Sequence, residues 1–170
     1  MSRTHREPRR GALTSEIRIV SGGQTGVDRG ALDAALAGDC PCGGWCPEGR
    51  RAEDGVIPTR YPLRELPGAG YRQRTRQNVH DSDATLIITF GTPSGGTAAT
   101  LDDCRRLGRP SLVVDADDCG IDRAVARLAA FVDSHRVGVL NVAGPRASGQ
   151  PAAHDTACAI VSRYLKARAG

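Results

Sequence analysis

Four short, nearly continuous apolar runs punctuate the chain: residues 17–20 (IRIV), 84–90 (ATLIITF), 111–115 (SLVVD) and 138–143 (GVLNVA). Their β-branched, unalternating character predicts strands buried on both faces. A weaker strand is expected near GGWC at 43–46. Amphipathic stretches fill the gaps. Residues 26–37 place Val27, Ala31, Ala34 and Ala35 on one side, and 71–82 read as a polar surface helix. Residues 96–108 space Ala98, Leu101, Cys104 and Leu107 helically and stop at Gly108, before Pro110. Residues 120–135 repeat the pattern with Ile121, Val125, Leu128 and Val132, and 152–167 with Ala157, Ile160, Val161, Tyr164 and Leu165. Strand and helix in alternation predict a single Rossmann-like α/β domain over residues 17–170, a doubly wound parallel sheet with helices on both faces. Such sheets hold ligands at the carboxyl ends of their strands, where the strand order reverses.

Composition narrows the class. A chain of 170 residues, 39% hydrophobic and 25% charged, buries enough surface to fold without disulfides or metal. No apolar run approaches the length of a membrane-spanning helix. The start, MSRTHREPRRGALTSE, is charged and lacks an apolar core, so it reads as no secretory signal and a cytoplasmic address is expected. Aromatic residues make up 4%, too few for a binder that stacks single-stranded nucleic acid. Net charge is +4, built from 22 arginines and one lysine, Lys166. Residues 1–16 read as a disordered basic tail, in which Arg3, Arg6, Arg9 and Arg10 outweigh Glu7 and Glu16. What is left on the body is too little for a duplex-DNA binder. The useful positive charge is local, since seven arginines face four acids between Glu48 and Arg76.

The cysteines, Cys40, Cys42, Cys46, Cys104, Cys119 and Cys158, read as free thiols in a chain of this size. A soft-metal or redox role for Cys40, Cys42 and Cys46 is the alternative, but paired C-x2-C knuckles and a fourth ligand are missing.

Two Gly-rich turns carry the candidate chemistry. The first strand runs into SGGQTGVDRG, where Gly22, Gly23 and Gly26 free the backbone and Gln24 and Thr25 add donors. A strand, a Gly turn and a helix start make an anion site, although this turn is neither G-x-G-x-x-G nor a Walker loop. An ordinary turn capped by Thr25 or Asp28 is the plainer reading. The second turn, GTPSGGTAAT, opens a helix at Gly95, Gly96 and Thr97. Two such turns on adjacent strands bring two helix amino termini to one crevice. Between them a long segment with Arg50, Arg51, Arg60, Arg64, Glu53 and Asp54 is expected to be a functional loop or poorly ordered. In it Arg50 reads as an anion clamp, and Glu53 and Asp54 as acceptors for a head group, or all three as a self-paired solvated cluster. Arg74 and Asn78, with Tyr71, share a helix face that either enters the crevice or covers surface. After the last strand, NVAGPRASG offers Asn141, Gly144, Pro145 and Arg146, the last as a group reaching a ligand or a neighbouring chain. His5, His80, His135 and His154 are scattered, and no nucleophile motif appears.

Taken in order, IVSGGQTGVDRGALDAAL, GGWCPEGRRAEDG, YPLRE, RTRQNVHDSDATLII, SGGTAAT and LNVAGPRAS resemble the molybdenum cofactor carrier family. That family is similar to the superfamily uniting DNA-processing protein A with the LOG-type proteins. The match spans Ile17 to about Ser148. The resemblance implies a Rossmann-like, homo-oligomeric, cytoplasmic subunit that binds a phosphate-bearing pterin such as molybdenum cofactor and serves molybdoenzyme recipients. It implies a small phosphorylated ligand, with no nucleic acid and no membrane. Carried onto this chain, Gly22, Gly23, Gln24, Thr25 and Gly26 match the first ligand loop, and Gly95, Gly96 and Thr97 the second. Arg50, Glu53 and Asp54 fall in the family's GR-x-AEDG stretch. The rival reading is a nucleotide-processing enzyme like the LOG-type phosphoribohydrolases, whose loop reads PGG-x-GT-x-x-E. Here SGGTAATLDD departs from it and puts no Glu in the following turn, leaving Asp102, Asp103, Glu53 or Asp54 as acid/base candidates.

Overall fold

The computed structural model describes residues 16–170, so the predicted basic tail lies outside the described residues except for Glu16. The chain runs β1 (Arg18–Val20), α1 (Val27–Ala37), β2 (Cys42–Gly43), β3 (Trp45–Pro47), β4 (Arg51–Ala52), β5 (Gly55–Val56) and β6 (Arg64–Leu66). It continues through α2 (Tyr71–His80), β7 (Ala84–Thr89), α3 (Gly95–Arg106), β8 (Ser111–Asp115), α4 (Ile121–His135), β9 (Val139–Ala143) and α5 (Ala153–Ala169). Each predicted strand and helix is present within a few residues of its expected ends.

The main sheet is five-stranded and wholly parallel, in the order β2-β1-β9-β7-β8. Every residue of β7 is buried, as its unbroken apolar run requires of a central strand. Helices α1, α4 and α5 pack together, and α2 packs on α3, so the sheet is covered on both faces in a Rossmann-like arrangement. Asn141 of β9 is paired in register with Val20 of β1 and Thr85 of β7, at the centre of the sheet. The two Gly turns follow β1 and β7, which are not the adjacent strands expected, because β9 stands between them, and the order reverses there.

The segment between β2 and α2 departs from the loop expected there. Trp45–Pro47 pairs in parallel with Arg64–Leu66, and Arg51–Ala52 pairs antiparallel with Gly55–Val56. Ile57, Tyr61 and Leu63 enter the hydrophobic core. Three anchors spaced two to four residues apart hold the segment against the body despite its charged surface, which removes apolar area from water at roughly 25 cal/mol per Å². All six cysteines are free, and among the described residues no cluster of three or more His, Cys, Asp or Glu could hold a metal ion. Burial pushes the thiols of Cys40, Cys42 and Cys46 above their ordinary range, which keeps them protonated. No helix among the described residues is long and apolar enough to cross a membrane.

Candidate functional site

A cavity of about 480 Å³ opens over the carboxyl ends of β1, β9 and β7, where the strand order reverses. Of the site residues expected from the sequence, Gly22, Gln24, Arg74, Asn78, Gly96 and Thr97 line it. Gly23, Thr25, Gly26, Gly95, Arg50, Glu53 and Asp54 are not on its wall.

The first Gly turn is organised chiefly around its own contacts. The Gln24 amide donates to Asp28 Oδ2 at 3.2 Å, the Thr25 amide to Gln24 Oε1 at 3.0 Å, and the Val27 amide to the Pro145 carbonyl at 3.2 Å. Gly26 has φ +82°, and a Cβ there would lie 2.4 Å from the Pro145 carbonyl oxygen, so the turn and the 145–147 backbone fit only around glycine. Three of the amides that a phosphate would use are therefore occupied.

The second turn is open. Ser94 is the N-cap of α3 in extended conformation with no side-chain cap bond, and nothing crowds Gly95 or Gly96. The Thr97 and Ala98 amides donate to the Ser94 carbonyl at 3.1 and 3.2 Å, which leaves the Gly95 and Gly96 amides with no carbonyl partner. With the helix dipole behind them and Thr92, Ser94 and Thr97 on the cavity wall, they form the anion-attracting end of the crevice.

The wall also carries a buried ion pair, Arg74 Nη1 to Asp28 Oδ2 at 3.0 Å. Burial pushes the Asp28 carboxyl above its ordinary value, against the pull of the Arg74 guanidinium and of hydrogen bonds from the Gln24 amide and Ser21. Both Arg74 and Gln24 are 7% exposed, and Arg74 Nε and Gln24 Nε2 are buried with no hydrogen-bond partner. Asn78, expected to share Arg74's role, has its amide engaged by Trp45: it accepts from the Trp45 amide at 2.8 Å and donates to the Trp45 carbonyl at 2.9 Å.

Helix α2 is pinned across the crevice by arginines. Besides Arg74, Arg72 grips the fully buried Asp103 of α3 through both carboxylate oxygens, one at 2.7 Å. The Arg146 guanidinium lies 5.4 Å from the Tyr71 ring centroid.

The RRAED stretch braces this arrangement from outside. Arg50 donates to the carbonyls of Ile57, Pro58, Tyr61 and Leu63, closing its own segment. Glu53 accepts from the Thr25 hydroxyl, from the Ser148 amide at 3.1 Å and from the Ser148 hydroxyl at 2.5 Å, while its own amide donates to Gln24 Oε1 at 3.0 Å. The Ser148 and Thr25 hydroxyls hold its carboxyl below the usual range. Asp54 takes both ends of the Arg29 guanidinium, at 2.6 and 2.8 Å. Asp102 forms an exposed pair with Arg105. None of the four acid/base candidates faces the crevice; the carboxylate among its lining residues is Asp28, which the sequence offered only as a helix cap. Its signal was an acid in the first turn of α1, with its partner 46 residues away.

A family model described as the circularly permutated YpsA SLOG family matches residues 19–165. A solved structure of a "putative molybdenum carrier protein" from Syntrophus aciditrophicus is 42% identical, with a TM-score of 0.87 over 89% of this chain and 96% of that one. Among curated proteins, none matches.

Proposed function

Because the chain belongs to the circularly permutated YpsA SLOG family, we propose that it is a binding protein for a small phosphorylated ligand, held in the crevice over β1, β9 and β7. The ligand that fits this reading best is molybdenum cofactor or a related phosphorylated pterin. One observation carries it: a cavity of about 480 Å³ is lined both by the open amino terminus of α3 and by arginines. That volume suits a ligand of pterin-nucleotide size, and the open amides suit its phosphate. The name of the 42% identical Syntrophus protein supports a carrier role. On this reading the protein is cytoplasmic and homo-oligomeric, and hands its cargo to molybdoenzyme recipients. The Gly96 amide and the Thr97 side chain hold the phosphate, Gly95 shapes the turn behind them, and Gly22, Gln24 and Arg74 complete the wall. Gly23, Thr25, Gly26, Arg50, Glu53 and Asp54 hold the walls in place.

The test is anaerobic incubation with released cofactor, followed by gel filtration and pterin fluorescence. Wild-type protein retains the cofactor and slows its oxidation, whereas Gly96→Asp, which sets a carboxylate at the helix terminus, does neither. Failure of the wild type to retain any pterin sinks the reading.

One observation favours a second reading, a nucleotide-cleaving enzyme: Asp28 is a buried carboxyl, raised in pKa, on the cavity wall. Such a group is suited to protonate a leaving base. Base release from a panel of nucleoside monophosphates, abolished by Asp28→Asn, would establish it; no release by the wild type removes it.

A further inference from the structure

Two buried N–H donors have no acceptor, Gln24 Nε2 and Arg74 Nε, and the residues that carry them, on two different elements, both line the crevice. Buried donors are rarely left unmatched, and each calls for an oxygen acceptor. The Gln24 carbonyl end is fixed by the amides of Thr25 and Glu53, so its amide nitrogen is the free end by construction. Arg74 gives Nη1 to Asp28, which leaves the rest of its guanidinium fork. These donors stand on the turn after β1 and on α2, elements other than α3. We propose that Gln24 and Arg74 form a second oxyanion subsite, so that the ligand carries two separated anionic groups, one at α3 and one against Arg74. This rests on the phosphate reading above and extends it.

The second anion meets Asp28 on the same guanidinium. The groups facing Asp28 are Arg74 from α2, and the Ser21 hydroxyl and Gln24 amide from the turn after β1. The other charged groups on the crevice wall are engaged elsewhere, Arg72 with Asp103 and Arg146 with Tyr71 and Glu53. Two negative groups on one buried cation are relieved when one takes a proton, and burial already biases Asp28 that way. Occupation of the second subsite therefore draws a proton onto Asp28.

Titration calorimetry of the full chain with inorganic phosphate, near pH 6.5 in two buffers of different ionisation heat, tests this. The expected result is two phosphates per chain, with the proton that Asp28 takes up added to any exchanged by phosphate's own second ionisation. Gln24→Met reduces the count to one, and so does Arg74→Lys, which keeps a cation for Asp28 but removes the fork; the second variant stands in where the first does not fold. Gly96→Asp removes the other phosphate, and Asp28→Asn keeps both sites while proton uptake falls by the share that Asp28 takes. A single phosphate that only Gly96→Asp removes overturns the second subsite and leaves the first reading intact. Two phosphates untouched by Gln24→Met and Arg74→Lys also overturn it. No phosphate bound overturns both.

Discussion

Arg74 lies across Gly22 so closely that a Cβ on Gly22 would sit 1.7 Å from its Nη1. The missing side chain of the first Gly turn thus leaves room for a guanidinium from α2, which in turn reaches Asp28. Gly22→Ala forces Arg74 aside and leaves Asp28 buried without its cation. Separating a buried pair costs about 3–5 kcal/mol. Chemical denaturation should show a loss of that order, with ligand binding lost in the same variant.

Glu53 ties the first Gly turn, the hairpin and the 146–148 loop without touching the crevice. Glu53→Ala releases the Ser148 and Thr25 hydroxyls, costing about 2 kcal/mol for hydrogen bonds to a charged group. Amide exchange should speed up at residues 144–150, five of which line the cavity, and ligand affinity should fall although no ligand contact is removed.

Arg50, read from the sequence as an anion clamp, provides the contrast. Its guanidinium closes the 57–63 carbonyls, so Arg50→Ala should destabilise the protein by about 3 kcal/mol and expose that segment to proteolysis. Phosphate affinity of the folded fraction should stay within about twofold. A selective loss of phosphate binding at unchanged stability would restore the clamp.

His154, in the first turn of α5, reaches Asp33 of α1 at 2.7 Å, and Tyr61 donates to the same carboxylate at 2.8 Å. The Asp33 hydrogen bond raises the His154 pKa above 6.5, with Asp155 adding to it. A raised histidine contributes its full stabilisation below its unfolded value and loses it as pH climbs through the folded one. Thermal midpoints should therefore fall as pH rises above about 6.5, the histidine reference value, and His154→Gln should flatten that slope. The pair is partly exposed, so added salt should shrink the effect.

The fold was readable because its strands are apolar without interruption and its helices keep strict spacing. Leu86, Ile87 and Ile88 declare a buried strand with no help from context. The two Gly turns point to the crevice and Gln24, Arg74 and Thr97 line it, but the turns reach it from strands separated by β9 and not from neighbours. What the sequence hides is which groups are already engaged. Arg50, Glu53 and Asp54 have the composition of a ligand-seeking loop, yet their partners are carbonyls, Ser148 and Arg29, up to 95 residues distant. Asp28 has the opposite problem. Its spacing suggests a helix cap, and only the approach of α2 turns it into a buried carboxyl on the cavity wall. Long-range pairing of charges leaves no local periodicity to read.

The central place of β9 has a consequence for the order of synthesis. As the last strand of the main sheet to be made, it must insert between β1 and β7, strands translated long before. A nascent chain lacking residues 139–143 has β1 and β7 with no common neighbour, and therefore no floor for the crevice. A chain truncated before β9 keeps both Gly turns but has nothing to hold them together, so it should bind no ligand.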